Sequence, residues 1–274
     1  MSLTVEAYDA HQILTPGAGF LSSYDYSLNP YVGCAFGCSY CYAAFFAQFD
    51  KQKSWGDWVR VKRNAALKLS RMRRSLDGKT IYMSSATDPY QPIERRLELT
   101  RSLLPTLAEK GAHLVVQTRS PLVTRDIDLL RTFDRVCVNL SITTDSEDVR
   151  RAFEPRNPPI ADRLDAACEL AEAGIPVAIT MSPLLPIEEP RRFAEQVAAT
   201  GAHRFVVDRF VETSGHFRAG TGESAICLAG EFCWDAERHE RARDVLMSQL
   251  APDIREGESG FSPDYLLSSP SPRS

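Results

Sequence analysis

Apolar runs and amphipathic segments alternate along most of the chain. The apolar runs have the length of strands and cover Leu28–Val32, Thr80–Ser85, His113–Thr118, Arg135–Thr143, Pro176–Met181 and His203–Val211. The segments between them carry apolar residues at helical spacing and cover Val59–Arg74, Arg95–Lys110, Asp126–Phe133, Ala161–Ala173 and Pro190–Thr200. Gly111, Gly174 and Gly201 stand where helix C-caps are expected. The alternation predicts an α/β fold with a parallel sheet, either doubly wound or closed towards a barrel.

The two ends of the chain lack this alternation. Residues 1–23 are predicted to form an N-terminal extension, and residues 24–212 hold the alternating core. Residues 213–252 are predicted to form a loop over Thr213–Gly230 and a final helix over Phe232–Leu250. Ser, Pro and Gly dominate residues 253–274, which predicts a disordered tail. Active sites of parallel α/β folds lie at the carboxyl ends of the strands, so functional residues are expected in the loops that follow them.

The loop after the first strand of the core contains three closely spaced cysteines. Cys34, Cys38 and Cys41 have the spacing C-x3-C-x2-C, with which a short loop brings three thiolates around one face of a cluster. Gly33 and Gly37 supply the backbone freedom that this wrapping requires. Iron–sulfur clusters usually take four thiolates, so three leave one iron open to a small molecule. Zinc is the alternative; it needs four ligands, and only a residue distant in the sequence would complete the set.

Composition and charge narrow the class of protein. The chain has 274 residues, of which 43% are hydrophobic, and a net charge of −4. This acidic balance argues against wholesale electrostatic binding to nucleic acid. No apolar run reaches the roughly 18 residues of a membrane span, and the N-terminus lacks the basic-then-apolar order of a signal peptide. We therefore expect a cytoplasmic protein with reduced thiols, whose clustered cysteines bind a metal.

Several short motifs resemble one enzyme family. They are Asn29–Cys34, Cys41–Ala43, Ala86–Glu94, Thr118–Ser120, Arg125–Asp126, Ser141–Thr144 and Glu154–Pro155. Together with the C-x3-C-x-aromatic-C motif, they resemble the radical S-adenosylmethionine (SAM) superfamily, in its spore photoproduct lyase-like branch. The resemblance extends from Tyr24 to Val211, and it implies a partial (β/α)6 barrel.

The resemblance also implies the cofactors and the type of reaction. Cys34, Cys38 and Cys41 would bind a [4Fe–4S] cluster whose open iron binds SAM. A reductant such as flavodoxin or ferredoxin would supply the electron that cleaves SAM. The resulting 5′-deoxyadenosyl radical would abstract hydrogen from a substrate.

Five positions match family residues that contact SAM. They are Tyr40 against the adenine or the cluster, Thr87 and Asp88 at the amino group, Arg119 at the carboxylate, and Ser141 at the ribose. Ordinary structural roles stay open beside these: a turn at Asp88, a surface ion pair at Arg119 and simple packing at Tyr40.

One departure from the lyases concerns the return of hydrogen to the product radical. The lyases use a cysteine after the second strand, where this chain has Ser84–Asp88 without a cysteine. A serine O–H bond is too strong to be a good hydrogen donor to a carbon radical, so spore photoproduct repair is not expected. Tyr42 matches a tyrosine implicated in hydrogen relay and is the candidate catalytic residue, with a role in the core as the alternative.

The substrate stays open between a nucleic-acid base, a nucleotide, a peptide and a small metabolite. A nucleic-acid partner is suggested by analogy with the family and by basic residues of the predicted helix Val59–Arg74, for which a solvated surface is the preferred explanation. The alternative from another class is a non-catalytic protein, stabilised by zinc or an iron–sulfur cluster, that binds or senses. Cys227 and Cys233 form a late pair whose role is open.

Overall fold

The computed structural model describes residues 3–46, 54–209 and 223–268. Its strands are Thr4–Tyr8 (β1), Leu14–Pro16 (β2), Tyr26–Leu28 (β3), Tyr31–Val32 (β4), Trp58–Lys62 (β5), Thr80–Met83 (β6), His113–Thr118 (β7), Val136–Ser141 (β8), Val177–Met181 (β9), Arg204–Val207 (β10) and Ile254–Glu256 (β11). Its α-helices are Ala65–Ser70 (α1), Glu94–Leu97 (α2), Leu99–Glu109 (α3), Ile127–Leu130 (α4), Glu147–Phe153 (α5), Ile160–Glu172 (α6), Pro190–Ala199 (α7), Glu223–Glu231 (α8), Ala236–Gln249 (α9) and Pro263–Leu266 (α10).

Eight strands form the main sheet, in the order β11-β10-β9-β8-β7-β6-β3-β2. Every neighbouring pair from β3 to β11 is parallel, and only β2 is antiparallel to its neighbour. Helices α3, α6 and α7 lie in the crossovers between successive strands, as parallel pairing requires. The predicted α/β fold with a parallel sheet is confirmed.

The two faces of the sheet carry different residues because side chains alternate along a strand. Leu114, Val116 and Val138 belong to the large core that packs under the helices. Their alternates on the opposite face, such as Val115 and Cys137, belong to a second buried cluster. We call this opposite face the inner face. It turns polar towards the carboxyl ends of the strands, and this polar end adjoins the site described below.

The C-terminal segment fills the apolar end of the inner face. Strand β11 pairs in parallel with β10, and Phe261, Tyr265 and Leu266 are buried in the inner-face cluster. The hydroxyl of Tyr265 donates a hydrogen bond to the carbonyl of Phe205 at 3.1 Å. The predicted disordered tail is therefore wrong for residues 253–268, because a few apolar side chains spaced among Ser, Pro and Gly suffice to anchor the segment. Residues 269–274 lie outside the described residues.

The predicted helix Val59–Arg74 is also wrong over its first half. Residues Trp58–Lys62 form strand β5, which pairs in parallel with β1 and antiparallel with β4 in a separate three-stranded sheet. The stretch alternates between Val and larger side chains with a period of two, which suits a strand better than a helix. The basic residues therefore do not share one helix face: Arg60 stacks over the Tyr8 ring and Arg63 pairs with Asp9.

Two smaller differences concern the late part of the chain. The predicted loop Thr213–Gly230 contains helix α8 from residue 223 onwards, whereas residues 210–222 lie outside the described residues. The predicted final helix corresponds to α9. In the described part of the chain, no helix is long and apolar enough to cross a membrane.

Candidate functional site

The cysteine loop, Gly33–Cys41, follows β4 and bends at two glycines. Gly33 and Gly37 have φ of +82° and +60°, in the left-handed region. A Cβ added to Gly33 would lie 2.7 Å from the carbonyl oxygen of Trp58, and one on Gly37 would lie 3.0 Å from the Gly56 Cα. Trp58 is buried against this bend. The two glycines thus allow the cysteine loop to pack closely against Gly56 and Trp58, at the start of β5.

The loop holds its three cysteines close together inside the protein. Cys34 and Cys38 are buried and Cys41 is half-buried. Burial raises the pKa of all three thiols, and that of Cys41 reaches about 12. The nearby sulfur of Cys38 raises the pKa of both Cys34 and Cys41 further, because neighbouring thiolates repel each other.

Gln91 anchors the first part of the loop. Its Oε1 accepts a hydrogen bond from the Ala35 N–H at 2.9 Å, and its Nε2 donates to the Gly33 carbonyl at 3.4 Å. The hydroxyl of Thr87 donates to the same carbonyl at 2.5 Å. Gln91 is fully buried. It lies within the family-like motif Ala86–Glu94, where no role for Gln91 was predicted.

Asp88 joins the loops that follow β6 and β7. Its Oδ1 accepts hydrogen bonds from the Thr118 hydroxyl at 2.7 Å and the Tyr90 N–H at 2.8 Å, and its Oδ2 accepts one from the Arg119 N–H at 2.9 Å. Burial raises its pKa, although these donors favour the carboxylate. The turn with Tyr90 agrees with the structural role left open for Asp88. The carboxylate still has lone pairs beyond these three bonds.

Arg119 reaches from the end of β7 to the cysteine loop. Its Nη1 lies 3.1 Å from Cys38 Sγ, 2.8 Å from the Tyr40 hydroxyl and 2.9 Å from Glu154 Oε1. The Tyr40 hydroxyl donates a hydrogen bond to the same carboxylate oxygen. Two predicted site residues, Arg119 and Tyr40, thus meet beside a predicted metal ligand. The side chain of Arg119 is only 16% exposed, so it is not in a surface ion pair.

Glu154 contacts more residues of this network than any other side chain described above, and no role for it was predicted from the sequence. Besides its contacts with Arg119 and Tyr40, its carboxylate accepts a hydrogen bond from the Thr143 hydroxyl at 2.9 Å and forms an ion pair with the Arg163 guanidinium at 2.6 Å. Burial alone would raise its pKa, but the two guanidinium groups outweigh burial and lower it to about 2. The signal in the sequence was the family-like pair Glu154–Pro155, which marks the position and not its partners.

Asn157, three residues after Glu154, also contacts the cysteine loop. Its Nδ2 lies 3.3 Å from Cys38 Sγ, and the residue is buried. Arg150 donates to the carbonyls of Glu154 and Asn157 and so supports the turn between them. Nothing in the sequence near Asn157 signalled this contact, because it spans 119 residues.

Among the described residues, the side chains of Ser141 and Tyr42 make no hydrogen bond to Arg119, Tyr40 or Glu154. Ser141 is on the polar part of the inner face, where its Oγ accepts a hydrogen bond from Gln117 Nε2 at 2.8 Å. Asn139 Nδ2 in turn donates to Gln117 Oε1 at 2.7 Å. Tyr42 is 37% exposed, and its hydroxyl donates to the Ser85 carbonyl. The tyrosine therefore lies beside the stretch Ser84–Asp88, at the end of β6.

The remaining cysteines are dispersed. Cys137 is buried on the inner face, Cys168 is half-buried on α6, and Cys227 and Cys233 are exposed. Among residues 3–46, 54–209 and 223–268, no three or more His, Cys, Asp or Glu side chains are grouped as a single metal ion would require.

Comparisons with known proteins identify the family. The family model of the radical SAM superfamily matches residues 28–197. The protein MJ0683 of Methanocaldococcus jannaschii is 38% identical over 161 residues, which are 59% of this chain and 61% of that protein. A radical SAM Nα-GlyT isomerase of Pseudomonas phage M6 is 28% identical over 196 residues, 67% of this chain and 39% of that protein. The chain thus spans less than two thirds of the length of these curated relatives.

Solved structures resemble the whole fold. A mutant of spore photoproduct lyase superposes with a TM-score of 0.62 at 17% identity, covering 93% of this chain and 82% of that chain. Another structure of this lyase, with bound AdoMet and a dinucleoside spore photoproduct, gives 0.59 at 16% identity, with coverage of 93% and 82%. At such identities the likeness establishes the fold alone. Because the family model covers more than half of the chain, the protein belongs to the radical SAM superfamily, a family of enzymes.

Proposed function

We propose that the protein binds a [4Fe–4S] cluster on Cys34, Cys38 and Cys41 and cleaves SAM reductively. The observation that carries the proposal is the placement of three buried or half-buried thiols on one glycine-bent loop, with the Arg119 guanidinium 3.1 Å from the central sulfur. A cluster with bound SAM supplies one-electron cleavage of SAM to a 5′-deoxyadenosyl radical, which abstracts hydrogen. The chain's part is to hold the thiolates, orient SAM and exclude water.

The donor set fits an iron–sulfur cluster better than zinc. Each thiolate of a cluster binds its own iron, whereas the four ligands of a zinc ion converge on one atom. The cysteine loop offers three thiols, one fewer than the four ligands of a closed zinc site. A metal-bound thiol is deprotonated, and the guanidinium of Arg119 offsets the resulting negative charge at Cys38.

The polar residues at the strand ends are proposed as the SAM contacts. Among the described residues, Nε and Nη2 of Arg119 make no hydrogen bond, so these donors suit the SAM carboxylate. Thr87 and Asp88 are proposed for the amino group, Ser141 for the ribose and Tyr40 for the adenine side. The Ser141 hydroxyl accepts from Gln117 and keeps its own hydrogen as a donor.

For the substrate, we propose a molecule with several hydrogen-bonding groups, and a nucleic-acid-related one first. The support is the polar end of the inner face around Gln117 and Asn139, together with the dinucleoside photoproduct held by the lyase of the same fold. Tyr42 is proposed to donate hydrogen late in the reaction, because its hydroxyl lies at the end of β6, where the lyases carry a cysteine. A flavodoxin or ferredoxin is the proposed reductant, and the cytoplasm the proposed location, since it keeps thiols reduced.

Anaerobic reconstitution tests the proposal. The protein is loaded with iron and sulfide, mixed with SAM and dithionite, and assayed for 5′-deoxyadenosine. We expect product from the wild type and from the control Cys168→Ala, whose cysteine lies on α6 away from the loop. We expect neither cluster nor product from Cys38→Ala.

Two other outcomes would count against the proposal. Full iron content in Cys38→Ala would contradict the assigned ligands. A complete cluster in the wild type without SAM cleavage, even after addition of nucleic-acid fragments, would favour the non-catalytic alternative, a protein that binds or senses.

A further inference from the structure

The three cysteine sulfurs have unequal surroundings. Burial is the largest effect on the pKa of Cys34 and of Cys41 and raises both, whereas the N–H groups of Phe36 at Cys34 and of Ala43 and Ala44 at Cys41 act to lower it. Cys38 instead contacts two side-chain donors, Arg119 Nη1 at 3.1 Å and Asn157 Nδ2 at 3.3 Å. One of these donors carries a full positive charge, so the surroundings of Cys38 differ in charge as well as in hydrogen bonding.

The Arg119 guanidinium is held at this position from outside the loop. Glu154 receives its Nη1 at 2.9 Å, and Arg163 binds the other oxygen of the same carboxylate at 2.6 Å. Two guanidinium groups therefore face one carboxylate, and the network has a net positive charge next to Cys38. The carboxylate of Asp88 acts on a different sulfur, that of Cys34, where it raises the thiol pKa after the larger effect of burial.

Hydrogen bonds and positive charge at a cluster sulfur favour the reduced cluster. Reduction adds one electron and hence one negative charge, which nearby donors and cations stabilise. The effect is strong in a buried site, where charges are screened less than in water. The sulfur of Cys38 is therefore the point at which the protein acts most on the electron affinity of the cluster.

We propose that Arg119 and Asn157, with Glu154 as the anchor of Arg119, are positioning residues that raise the reduction potential of the cluster through Cys38. This inference rests on the proposed [4Fe–4S] cluster and adds which residues adjust its reduction potential. In the step concerned, the oxidised cluster takes one electron from dithionite, with no bond formed or broken. Within residues 3–46, 54–209 and 223–268, Nε and Nη2 of Arg119 make no hydrogen bond, so this role is compatible with a contact to SAM.

The test is a potentiometric titration of the reconstituted protein with dithionite, followed by electron paramagnetic resonance. Arg119→Gln removes the charge, and Asn157→Leu removes one neutral donor at similar volume. We expect Arg119→Gln to lower the equilibrium constant for reduction at least tenfold, about 59 mV towards negative potential. Asn157→Leu is expected to shift it less in the same direction, and Arg119→Lys to fall between wild type and Arg119→Gln.

Arg204→Gln is the matched control. Arg204 likewise pairs with a carboxylate, that of Asp253, and it is buried, but it lies where β10 meets the C-terminal segment. Its substitution should leave the potential unchanged. If Arg119→Gln loses its iron, the reduction potentials of Asn157→Leu and Arg119→Lys test the inference.

Two failures are distinguishable. A wild-type protein that takes up no [4Fe–4S] cluster overturns the proposed function and this inference together. A wild type that takes up the cluster, with the same potential in Asn157→Leu and in Arg119→Gln or Arg119→Lys, overturns this inference alone.

Discussion

Arg163 and Glu154 form an ion pair inside the protein, with Nη2 of Arg163 2.6 Å from Oε2 of Glu154 and side chains 1% and 0% exposed. The pair joins α6 to the turn after α5. The remaining N–H groups of Arg163 donate to the carbonyls of Pro158 and Ser141. The ion pair and these hydrogen bonds give the buried guanidinium the partners that a buried charge requires. Through Glu154, the same pair fixes the partner of Arg119.

Removal of the Arg163 charge is expected to destabilise the protein strongly. Arg163→Met should lower the free energy of unfolding by about 3–5 kcal/mol, because a buried carboxylate loses a partner. Urea denaturation measures the loss. The control is Arg151→Met, which removes an exposed pair with Asp148 and should cost about 1 kcal/mol or less. Equal losses in the two variants would contradict the assigned role of the buried pair.

Substitutions at two glycines should distinguish the cost of a left-handed backbone from the cost of a steric clash in the cysteine loop. Gly33→Ala places a Cβ 2.7 Å from the Trp58 carbonyl oxygen at φ +82°. Gly78→Ala is the matched control, since Gly78 has φ +65° and nothing lies within 4 Å of the added Cβ. Both variants should lose about 1–2 kcal/mol from the left-handed backbone alone.

Only Gly33→Ala should also lose iron on anaerobic reconstitution, because its loop must shift. Thermal denaturation and iron analysis of the two proteins check this difference. Full iron content in Gly33→Ala would mean that the close approach to β5 is not needed for the cluster site.

The C-terminal segment is expected to contribute to the core. Tyr265→Ala should lower the free energy of unfolding by about 3–5 kcal/mol, the usual cost of truncating a buried aromatic side chain. Leu67→Ala is the control, since Leu67 is 50% exposed on α1 and should change stability little. Guanidinium denaturation measures both. If Tyr265→Ala is as stable as the Leu67→Ala control, the C-terminal segment contributes little to the stability of the core.

Asp25 provides a pH-dependent contribution to stability. Burial would raise its pKa, but hydrogen bonds from the Thr80 N–H and hydroxyl and from Lys79 outweigh burial and lower it. Its folded pKa thus lies below the unfolded value of about 3.9. The stabilisation is fully present above that value and is lost as the pH falls through the folded pKa.

Asp25→Asn should therefore cost about 1 kcal/mol at pH 7. The difference from wild type should shrink as the pH falls below about 4. Urea denaturation at several pH values measures this difference. A constant difference between pH 7 and pH 3 would exclude the carboxylate charge as its cause.

Local spacing alone determined the cysteine loop and the class of fold. Cys34, Cys38 and Cys41 lie within eight residues of one another, so their chelating arrangement depends only on a short loop and its glycines. The helical and strand periods likewise repeat within short windows, and six of the strands were predicted near their observed positions. Strand β5 was missed because a short stretch with Val at alternate positions also fits one helical stripe.

Tertiary structure decided what surrounds the sulfurs. Arg119, Glu154 and Asn157 are far from Cys38 in the sequence, and they meet it because β7 and β8 lie side by side in parallel register. The C-terminal segment is ordered for a similar reason, since Tyr265 packs on an inner face that exists only after the strands pair. Spacing along the chain encodes contacts within a loop, whereas contacts between loops depend on the register of the sheet, which no local pattern specifies.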